Sequence, residues 1–364
     1  MVYRRTSGRR ISADHLGNSR RVDYREKVEP YGEEMESREE CRKRAEILCE
    51  LGGKDLEIVR NRSLIQGSND RPGAEELWAR VTRRNITPII YRDLPYKRVH
   101  ANLQVPVSCG CELAAWGRKQ GWQGGCSFCD IGRFTSCYHL SPFEMLNLIG
   151  LILRKSPLAN RFWRRERKCL VISFSAAGEP LLRYEAVKET VTRLDEIFAK
   201  RGVQVFFSLC TSGIASGIQQ MLNDVRFCDE YRVQLRFSMH FPTDEERRHF
   251  IPARDPVQEI VDLGTAYAEA VRVKFVIHYA LIQGVNDSDS HAEKLIRLLH
   301  SQRRHILVRI SRINPECGAS KISLLPPSKN RRKKFIQLLK EGGLECSPVW
   351  EGYARWACNA AHFR

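Results

Sequence analysis

The chain has 364 residues, 42% of them hydrophobic, which is enough for one large domain with its own core plus a smaller piece. No run of about 18 apolar residues is present, so we expect no membrane span, and the start at Met1 lacks an apolar leader, so we expect no secretion. The formal net charge of +17 favours a phosphate-bearing partner, and nucleic acid is the expected one.

The cysteines indicate the compartment. There are 13 of them, an odd number spread along a long chain. Small secreted domains pair their cysteines into a disulfide framework, whereas intracellular proteins keep reduced thiols that can bind metals. We therefore expect a cytoplasmic protein whose cysteines include metal ligands.

The first 100 residues show no chemistry of their own. Residues 1–30 are polar and rich in arginine, which predicts a mobile basic arm. Residues 31–100 are predicted to be a small helical accessory domain, with a helix over 33–51 that Gly52 and Gly53 end and a second short helix around 74–81.

Residues 101–364 have a different pattern, in which strands and helices alternate. Alternation of this kind predicts an α/β fold with a parallel sheet, and six units predict a partial (β/α)6 barrel. The helix at 141 has a clear start, because Ser141, Pro142 and Glu144 supply a cap, a first-turn proline and a capping box. The predicted strands are 103–109, 169–175, 203–210, 233–239, 273–281 and 305–313, and the predicted helices are 141–154, 184–200, 257–271, 288–301 and 329–341.

Cys111, Cys126 and Cys129 follow the first predicted strand with the spacing C-x14-C-x2-C. A structural zinc site or an electron-transfer cluster normally has four protein ligands, so three thiolates leave one position open for a substrate or cofactor. Two alternatives stay open at this point. The pair Cys126 and Cys129 is also typical of half a zinc knuckle, and Cys109 and Cys137 are alternatives to Cys111 as the third ligand.

Polar residues follow several of the other predicted strands. Since the carboxyl ends of the strands of a parallel barrel carry its chemistry, these residues are expected to meet the cysteines at one edge. A glycine before a carboxylate lets a ligand approach, and the carboxylate can accept from an ammonium group. Together they predict a pocket for a zwitterionic, nucleoside-like ligand. The residues concerned are Gly178, Glu179, Ser212, Ser238, His240 and Asn314.

This series of motifs resembles the radical S-adenosylmethionine (SAM) enzymes, and within them the RlmN/Cfr family of RNA adenine C-methyltransferases. The resemblance covers roughly residues 103–360, in the order found in that family. The matching segments are Cys126-Ser-Phe128-Cys129, Gly178-Glu-Pro-Leu-Leu182, Thr211-Ser-Gly213, Ser238-Met-His240, Pro242-Thr-Asp-Glu-Glu246, Ile251-Pro252, Gly284-Val-Asn-Asp287, Ile313-Asn-Pro315 and Trp356-Ala-Cys358-Asn359.

The resemblance implies a role for each of these residues. Cys111, Cys126 and Cys129 would hold a 4Fe-4S cluster whose open iron binds SAM. Cys358 would be the catalytic residue that is first methylated and then passes its carbon to an adenine of ribosomal or transfer RNA. An electron donor such as flavodoxin or ferredoxin would serve as a partner. The implied SAM-binding set comprises Gly178, Glu179, Ser212, Ser238, His240, Asn314 and Phe128.

Two departures from the family bear on this interpretation. The family's first cluster gap is three residues, whereas here residues 112–125 form a longer insertion. Seven residues before Cys111, where the family has a cysteine that resolves the protein–RNA intermediate, this chain has Gln104. A second hypothesis is therefore a radical SAM enzyme for a nucleoside or another small metabolite. A third is a non-catalytic RNA-binding protein with zinc at the cysteines.

Overall fold

The computed structural model describes residues 36–65, 73–94, 101–252, 255–313 and 322–348. Most of its strands belong to a single ten-stranded sheet, and two short strands pair apart from it. In chain order the strands are β1 (Glu57–Ile65), β2 (Gly73–Arg80), β3 (Ile86–Asp93), β4 (Ala101–Val105), β5 (Ser108–Cys109), β6 (Tyr138–His139), β7 (Lys168–Phe174), β8 (Val203–Thr211), β9 (Gln234–Ser238), β10 (Phe275–Leu281), β11 (Ile306–Arg312) and β12 (Cys346–Pro348).

The sheet has an antiparallel part and a parallel part. Its strand order is β1-β2-β3-β4-β7-β8-β9-β10-β11-β12, with β5 and β6 forming the separate pair. Strands β1 to β4 pair antiparallel, and every pair from β4 to β12 is parallel. Among the described residues the sheet is open, with β1 and β12 at its edges, so the predicted α/β fold with a partial barrel is confirmed.

Helices alternate with the parallel strands and cover one side of the sheet, where their apolar faces and alternate strand residues form the main core. None of the helices in the described ranges is long and apolar enough to cross a membrane. The helices are α1 (Arg38–Leu51), α2 (Glu112–Lys119), α3 (Pro142–Lys155), α4 (Ala159–Trp163), α5 (Tyr184–Ala199), α6 (Ala215–Asn223), α7 (Val225–Glu230), α8 (Asp244–Arg248), α9 (Val257–Val271), α10 (Asp289–Leu299) and α11 (Lys329–Glu341).

The predicted helices of the barrel agree with these bounds within about two residues, as expected of strongly periodic segments. The capping box of α3 is present, since Ser141 Oγ accepts from Glu144 N at 3.3 Å and Glu144 Oε2 accepts from Ser141 N at 2.8 Å. In the N-terminal region α1 ends at Gly52, whose φ of 72° is a left-handed conformation that glycine adopts easily.

The helix predicted around 74–81 is wrong, because β2 occupies that segment. Its sequence, Gly-Ala-Glu-Glu-Leu-Trp-Ala-Arg, has good helix formers, but pairing with β1 and β3 on both sides outweighs this propensity. The helical description of residues 31–100 is corrected accordingly. Their described part has one helix followed by three strands that continue the barrel sheet.

Candidate functional site

The candidate site lies at the carboxyl edge of the parallel strands, where the chain leaves each strand for a helix. Cys111 begins α2 as its N-cap, shortly after β4 and β5. Gly178 and Glu179 follow β7, and Ser212 follows β8. Ser238 is the last residue of β9. Parallel strands end at a common edge, so these residues approach one another although up to about 130 positions separate them in the chain.

Cys126 and Cys129 form a tight turn, in which the Cys129 amide donates to the Cys126 carbonyl at 2.9 Å. The turn is attached to the segment after α8, because the Ser127 amide donates to the Phe250 carbonyl at 2.8 Å. The loop that carries both cysteines is thus held by backbone hydrogen bonds.

Cys129 connects the pair to Cys111. Cys111 and Cys129 both pack on a small apolar cluster that contains Trp78 and Ala177. Cys126 and Cys129 both pack on a second cluster that contains Phe128. The structure therefore brings the three cysteines of the C-x14-C-x2-C spacing together.

Burial raises the pKa of all three thiols. For Cys111 the pKa is well above its ordinary value, with burial as the main cause and the neighbouring Cys126 next. For Cys126 burial and the neighbouring Cys129 raise the pKa to about 12, and for Cys129 burial is again the main cause. These thiols are therefore protonated at neutral pH until a metal displaces the protons.

The two alternative third ligands lie elsewhere. Cys109 is buried in β5, opposite Tyr138 of β6. The cysteine whose charge raises the pKa of the Cys109 thiol is Cys137. Cys137 belongs to a group with Glu112 and His139 whose ligand atoms all lie within 4.8 Å of one another.

That spacing also bears on the zinc alternative. Among the described residues this Glu-Cys-His group is the one compact enough for a single ion, and the three cysteines of the candidate site do not form such a group. In an iron–sulfur cluster each thiolate binds a different iron, so its ligands stand further apart than the ligands of one zinc ion. The spacing of Cys111, Cys126 and Cys129 thus differs from that of the compact Glu-Cys-His group.

Glu179 is a buried carboxylate, 2% exposed, that connects two strand ends. Its Oε2 accepts from the Ser212 amide at 2.7 Å and its Oε1 from the Leu181 amide at 3.2 Å. Burial raises its pKa to about 7, and the Ser212 amide opposes that shift. Gly178 beside it has a φ of 86°, and a Cβ there would lie 2.7 Å from Val107 Cγ2, so glycine is needed on both counts.

His240 lies at the end of β9 in a left-handed conformation, with a φ of 60°. Its Nδ1 accepts from the Ala280 amide at 3.0 Å, and the Asn286 side chain donates to its carbonyl at 2.7 Å. The ring meets the edge of Phe128 at 5.7 Å between centroids. Burial, followed by the charge of Arg247, lowers its pKa to about 3, so the ring is neutral and holds the strand end in place.

Arg247 in α8 is a site residue that the sequence reasoning missed. It is 1% exposed, donates to the carbonyls of Met239 at 3.1 Å and Ser238 at 3.2 Å, and also donates to the Ser212 carbonyl. Burial lowers its pKa to about 10, while the neighbouring Cys126 opposes that shift. It thus ties β8 to β9 and places a positive charge near the cysteine pair. In the sequence, the one signal of this role was the position of Arg247 directly after the Pro242–Glu246 motif.

Two predicted site residues, Asn314 and Cys358, lie outside the described residues, as do the N-terminal arm and the carboxy-terminal tail.

The fold is similar to that of a solved radical SAM methyltransferase. A solved structure with this title, from Sphaerobacter thermophilus, superimposes with a TM-score of 0.66 at 24% identity, covering 84% of this chain and 80% of that one. No protein-family model matches the chain.

The curated relatives are more specific. A protein of Nitrosopumilus maritimus named ribosomal RNA large subunit methyltransferase N is 28% identical over 225 residues, which is 61% of this chain and 59% of that protein. A dual-specificity RNA methyltransferase RlmN of Myxococcus xanthus is 32% identical over 201 residues, covering 53% and 51%. The resemblance to RlmN that the motifs predicted is thereby confirmed, and the matches span between half and three-fifths of these relatives.

Proposed function

We propose that the chain is a radical SAM enzyme that methylates a carbon of an adenine in RNA. The observation that carries the proposal is the meeting of Cys111, Cys126 and Cys129 with Glu179 and Ser212 at one edge of the sheet. The names of the curated relatives support RNA as the substrate class, and so does the net charge of +17.

The three cysteines fit a 4Fe-4S cluster. Thiolates are the ligands that iron–sulfur clusters prefer, and three of them leave one iron free. Apolar side chains surround these cysteines on two sides, which limits access of water to the group they hold. When bound, the cluster supplies the electron that cleaves the sulfonium of SAM into methionine and a 5′-deoxyadenosyl radical.

SAM would contact the strand-end residues. The Glu179 carboxylate would accept from the amine of the methionine part, with Ser212 contacting the carboxylate. Ser238 and Asn314 would contact the ribose or the adenine. Gly178, Phe128 and His240 would shape the pocket wall, since His240 uses its Nδ1 on the Ala280 amide. Arg247 holds the backbone of Ser212 and Ser238 in place and thereby positions both serines.

Cys358 would carry the methyl group. Its thiolate would attack the methyl carbon of one SAM and release S-adenosylhomocysteine. The methylated Cys358 would then lose a hydrogen atom from that methyl group to the 5′-deoxyadenosyl radical of a second SAM, giving 5′-deoxyadenosine, and its carbon would bond to the adenine, so that a covalent protein–RNA adduct forms. A small electron carrier such as flavodoxin or ferredoxin would reduce the enzyme.

The first test is anaerobic reconstitution with iron, sulfide, reductant and SAM, followed by mass spectrometry of the peptide that contains Cys358. We expect about four irons per chain, formation of 5′-deoxyadenosine, and one added methyl group on Cys358 that is absent from Cys358→Ser. A cluster with 5′-deoxyadenosine but an unmodified Cys358 would overturn the methyl-carrier step. Stoichiometric zinc without a cluster would overturn the radical enzyme.

A second candidate function, a radical SAM reaction on a nucleoside or other small metabolite, is favoured by Gln104. This residue lies on β4 between Ile90 of β3 and Ser173 of β7, and an amide cannot act as the resolving nucleophile. If this candidate is right, 5′-deoxyadenosine forms productively with free nucleosides and not with RNA.

A further inference from the structure

A second group of potential metal ligands lies beside the candidate SAM site, and the proposed function leaves it unused. It consists of Glu112, Cys137 and His139, whose ligand atoms all lie within 4.8 Å of one another. The proposed cluster uses three other cysteines. A carboxylate, a thiol and an imidazole this close together are ligand types that a single metal ion can bind at the same time.

The strand pair β5 and β6 explains why Cys137 and His139 lie together. Ser108 of β5 pairs with His139 of β6, and Cys137 directly precedes β6. Successive residues of a strand project to opposite sides, so Cys137 and His139 share one side and Tyr138 takes the other. The Tyr138 hydroxyl donates to Glu144 Oε1 at 2.8 Å, which holds the tyrosine ring toward α3.

Glu112 completes the group from the first turn of α2. Its side chain is only 8% exposed. The Ser108 hydroxyl donates to its Oε1, and the Glu179 amide donates to its Oε2 at 2.8 Å. Carboxylates that bind metals are typically held by such additional hydrogen bonds, which orient them. The fold therefore supplies both the ligands and the contacts that orient one of them.

The spacing of the ligand atoms suits one zinc ion. Tetrahedral zinc with bonds of about 2.0 to 2.3 Å places its ligand atoms about 3.3 to 3.6 Å apart. His139 Nε2 lies 3.7 Å from Glu112 Oε1, which is too long for a hydrogen bond and close to the distance between two zinc ligands. Since all the ligand atoms lie within 4.8 Å, movements of about 1 Å bring the group to zinc geometry.

The thiol of Cys137 is a zinc ligand only when it loses its proton. Burial, and next the charge of Glu112, raise the pKa of this thiol to about 11, while Ser108, Arg183 and Arg118 oppose the shift. The thiol is thus protonated at neutral pH as long as no ion is bound. A divalent cation displaces the proton and offsets the negative charge of the neighbouring carboxylate.

His139 gives the group access to solvent. Its side chain is 50% exposed, and it lines a cavity of about 530 Å³ together with Tyr138, Glu144 and Arg183. An ion can therefore enter from this side without disturbing the main core, and an entry path is one requirement of a metal site. Three protein ligands leave the fourth position of a tetrahedral ion for a water molecule.

The geometry points to Glu112, Cys137 and His139 as the binding site of a zinc ion, separate from the cluster. Zinc binds thiolate, imidazole and carboxylate ligands, whereas Mg²⁺ and Ca²⁺ prefer oxygen ligands alone. The ion fixes the start of α2 to β6. Because Glu112 also accepts from the Glu179 amide, the ion supports the segment that carries the proposed SAM-binding carboxylate. Zinc binding here does not depend on the proposed radical reaction.

The test measures zinc and iron together in the full chain, after anaerobic reconstitution with iron and sulfide and dialysis against buffered free zinc. The variants are Cys137→Ala and His139→Gln. Their matched controls are Cys41→Ala and His249→Gln, since Cys41 and His249 are exposed residues outside the group. Cys126→Ala, which removes a proposed cluster ligand, is the reciprocal variant. Circular dichroism verifies that each variant is folded.

We expect about one zinc per wild-type chain, with half-occupancy below about 1 μM free zinc. Cys137→Ala and His139→Gln should weaken zinc binding by about a hundredfold or more, because loss of an outer hydrogen-bond partner alone costs about ten- to a hundredfold. Both variants should keep their iron, and the two controls should keep iron and zinc. Cys126→Ala should lose iron and keep zinc.

X-ray absorption at the zinc edge identifies the ligands directly. We expect one sulfur at about 2.3 Å and nitrogen or oxygen neighbours at about 2.0 to 2.2 Å. Two or more sulfur neighbours would assign the ion to the cluster cysteines and overturn the inference. Zinc binding that persists in both Cys137→Ala and His139→Gln, or a wild type that takes up no zinc, would also overturn it.

The same samples keep this site apart from the proposed function. A wild type that binds zinc through one sulfur but has neither iron nor 5′-deoxyadenosine formation would count only against the proposed function. A wild type with about four irons and 5′-deoxyadenosine formation but no zinc would count only against the zinc site.

Discussion

Cys111, Cys126 and Cys129 are held very differently from Glu179 and Arg247, although both groups lie at the same edge of the sheet. The cysteines pack on apolar side chains, and burial raises the pKa of their thiols. Glu179 and Arg247 are bound to backbone amides and carbonyls of several strand ends.

The difference shows which half of the site the chain completes by itself. Buried carboxylates and guanidinium groups are stable only when hydrogen-bonded, so the partners of Glu179 and Arg247 are built into the fold. Buried thiols tolerate an apolar setting as small hydrophobic groups, and a metal is needed to make them ligands. The strand-end half is thus preassembled, and the cysteine half would be completed by the proposed cluster.

The largest expected effect concerns the cysteine half. Cys126→Ala should abolish cluster binding and 5′-deoxyadenosine formation, because two thiolates remain where three are needed. Iron analysis and chromatography of the products measure both. The control is Cys169→Ala, since Cys169 is buried near the amino end of β7 and not at its carboxyl end. Retention of the cluster in Cys126→Ala would mean that a different cysteine is the ligand.

Arg247→Met tests the strand-end half. The variant leaves buried carbonyls of Ser212, Ser238 and Met239 without a donor, so the free energy of unfolding should fall by about 2 to 4 kcal/mol. Urea unfolding of the metal-free protein measures it. Arg248→Met, at the exposed neighbouring position in α8, should change stability by less than about 0.5 kcal/mol. Similar stabilities of the two variants would show that Arg247 does not tie the strand ends together.

Gly178→Ala tests how closely the strand end beside Glu179 packs against the segment that leads to Cys111. A left-handed alanine costs about 1 to 2 kcal/mol, and the contact with Val107 adds about 1 to 3 kcal/mol of overpacking. Gly202→Ala separates these costs, because Gly202 has a φ of 73° with nothing within 4 Å of the added Cβ. We expect thermal unfolding to show a clearly larger loss of stability for Gly178→Ala than for Gly202→Ala. An equal loss of stability in the two variants would show that the contact with Val107 adds no cost.

The smallest expected effect is a pH dependence of SAM binding. Burial raises the pKa of Glu179 to about 7, so the carboxyl is protonated in the free protein at lower pH. The proposed contact of Glu179 with the SAM amine needs the ionised carboxylate. SAM affinity should therefore fall about tenfold for each pH unit below 7 and level off above it, where Glu179 is already ionised. Titration calorimetry between pH 5.5 and 8 would measure this.

Glu179→Gln is the matched variant for that titration. It cannot ionise, so its weaker binding should show no loss of affinity between pH 7 and 5.5. If SAM affinity of the wild type depended on pH as little as that of the variant, Glu179 would not be the group that binds the SAM amine.

Much of the barrel could be read from the sequence because its signals are local. The capping box at Ser141, the helical periodicity of α9 and α11 and the alternation of strands with helices are set by near neighbours in the chain. The motifs also located Glu179 and Ser212 at strand ends, since the end of a periodic segment is itself a local feature.

The tertiary structure decided what depends on distant partners. Residues 74–81 form a strand because β1 and β3 pair with them, against their own helix propensity. Cys109 and Cys111 are two residues apart, and only the pairing of β5 with β6 sends Cys109 toward Cys137 and leaves Cys111 beside Cys129. Arg247 looks like an ordinary charged helix residue in the sequence. Its role exists only where β8 and β9 end together, because the carbonyls it binds come from separate segments of the chain.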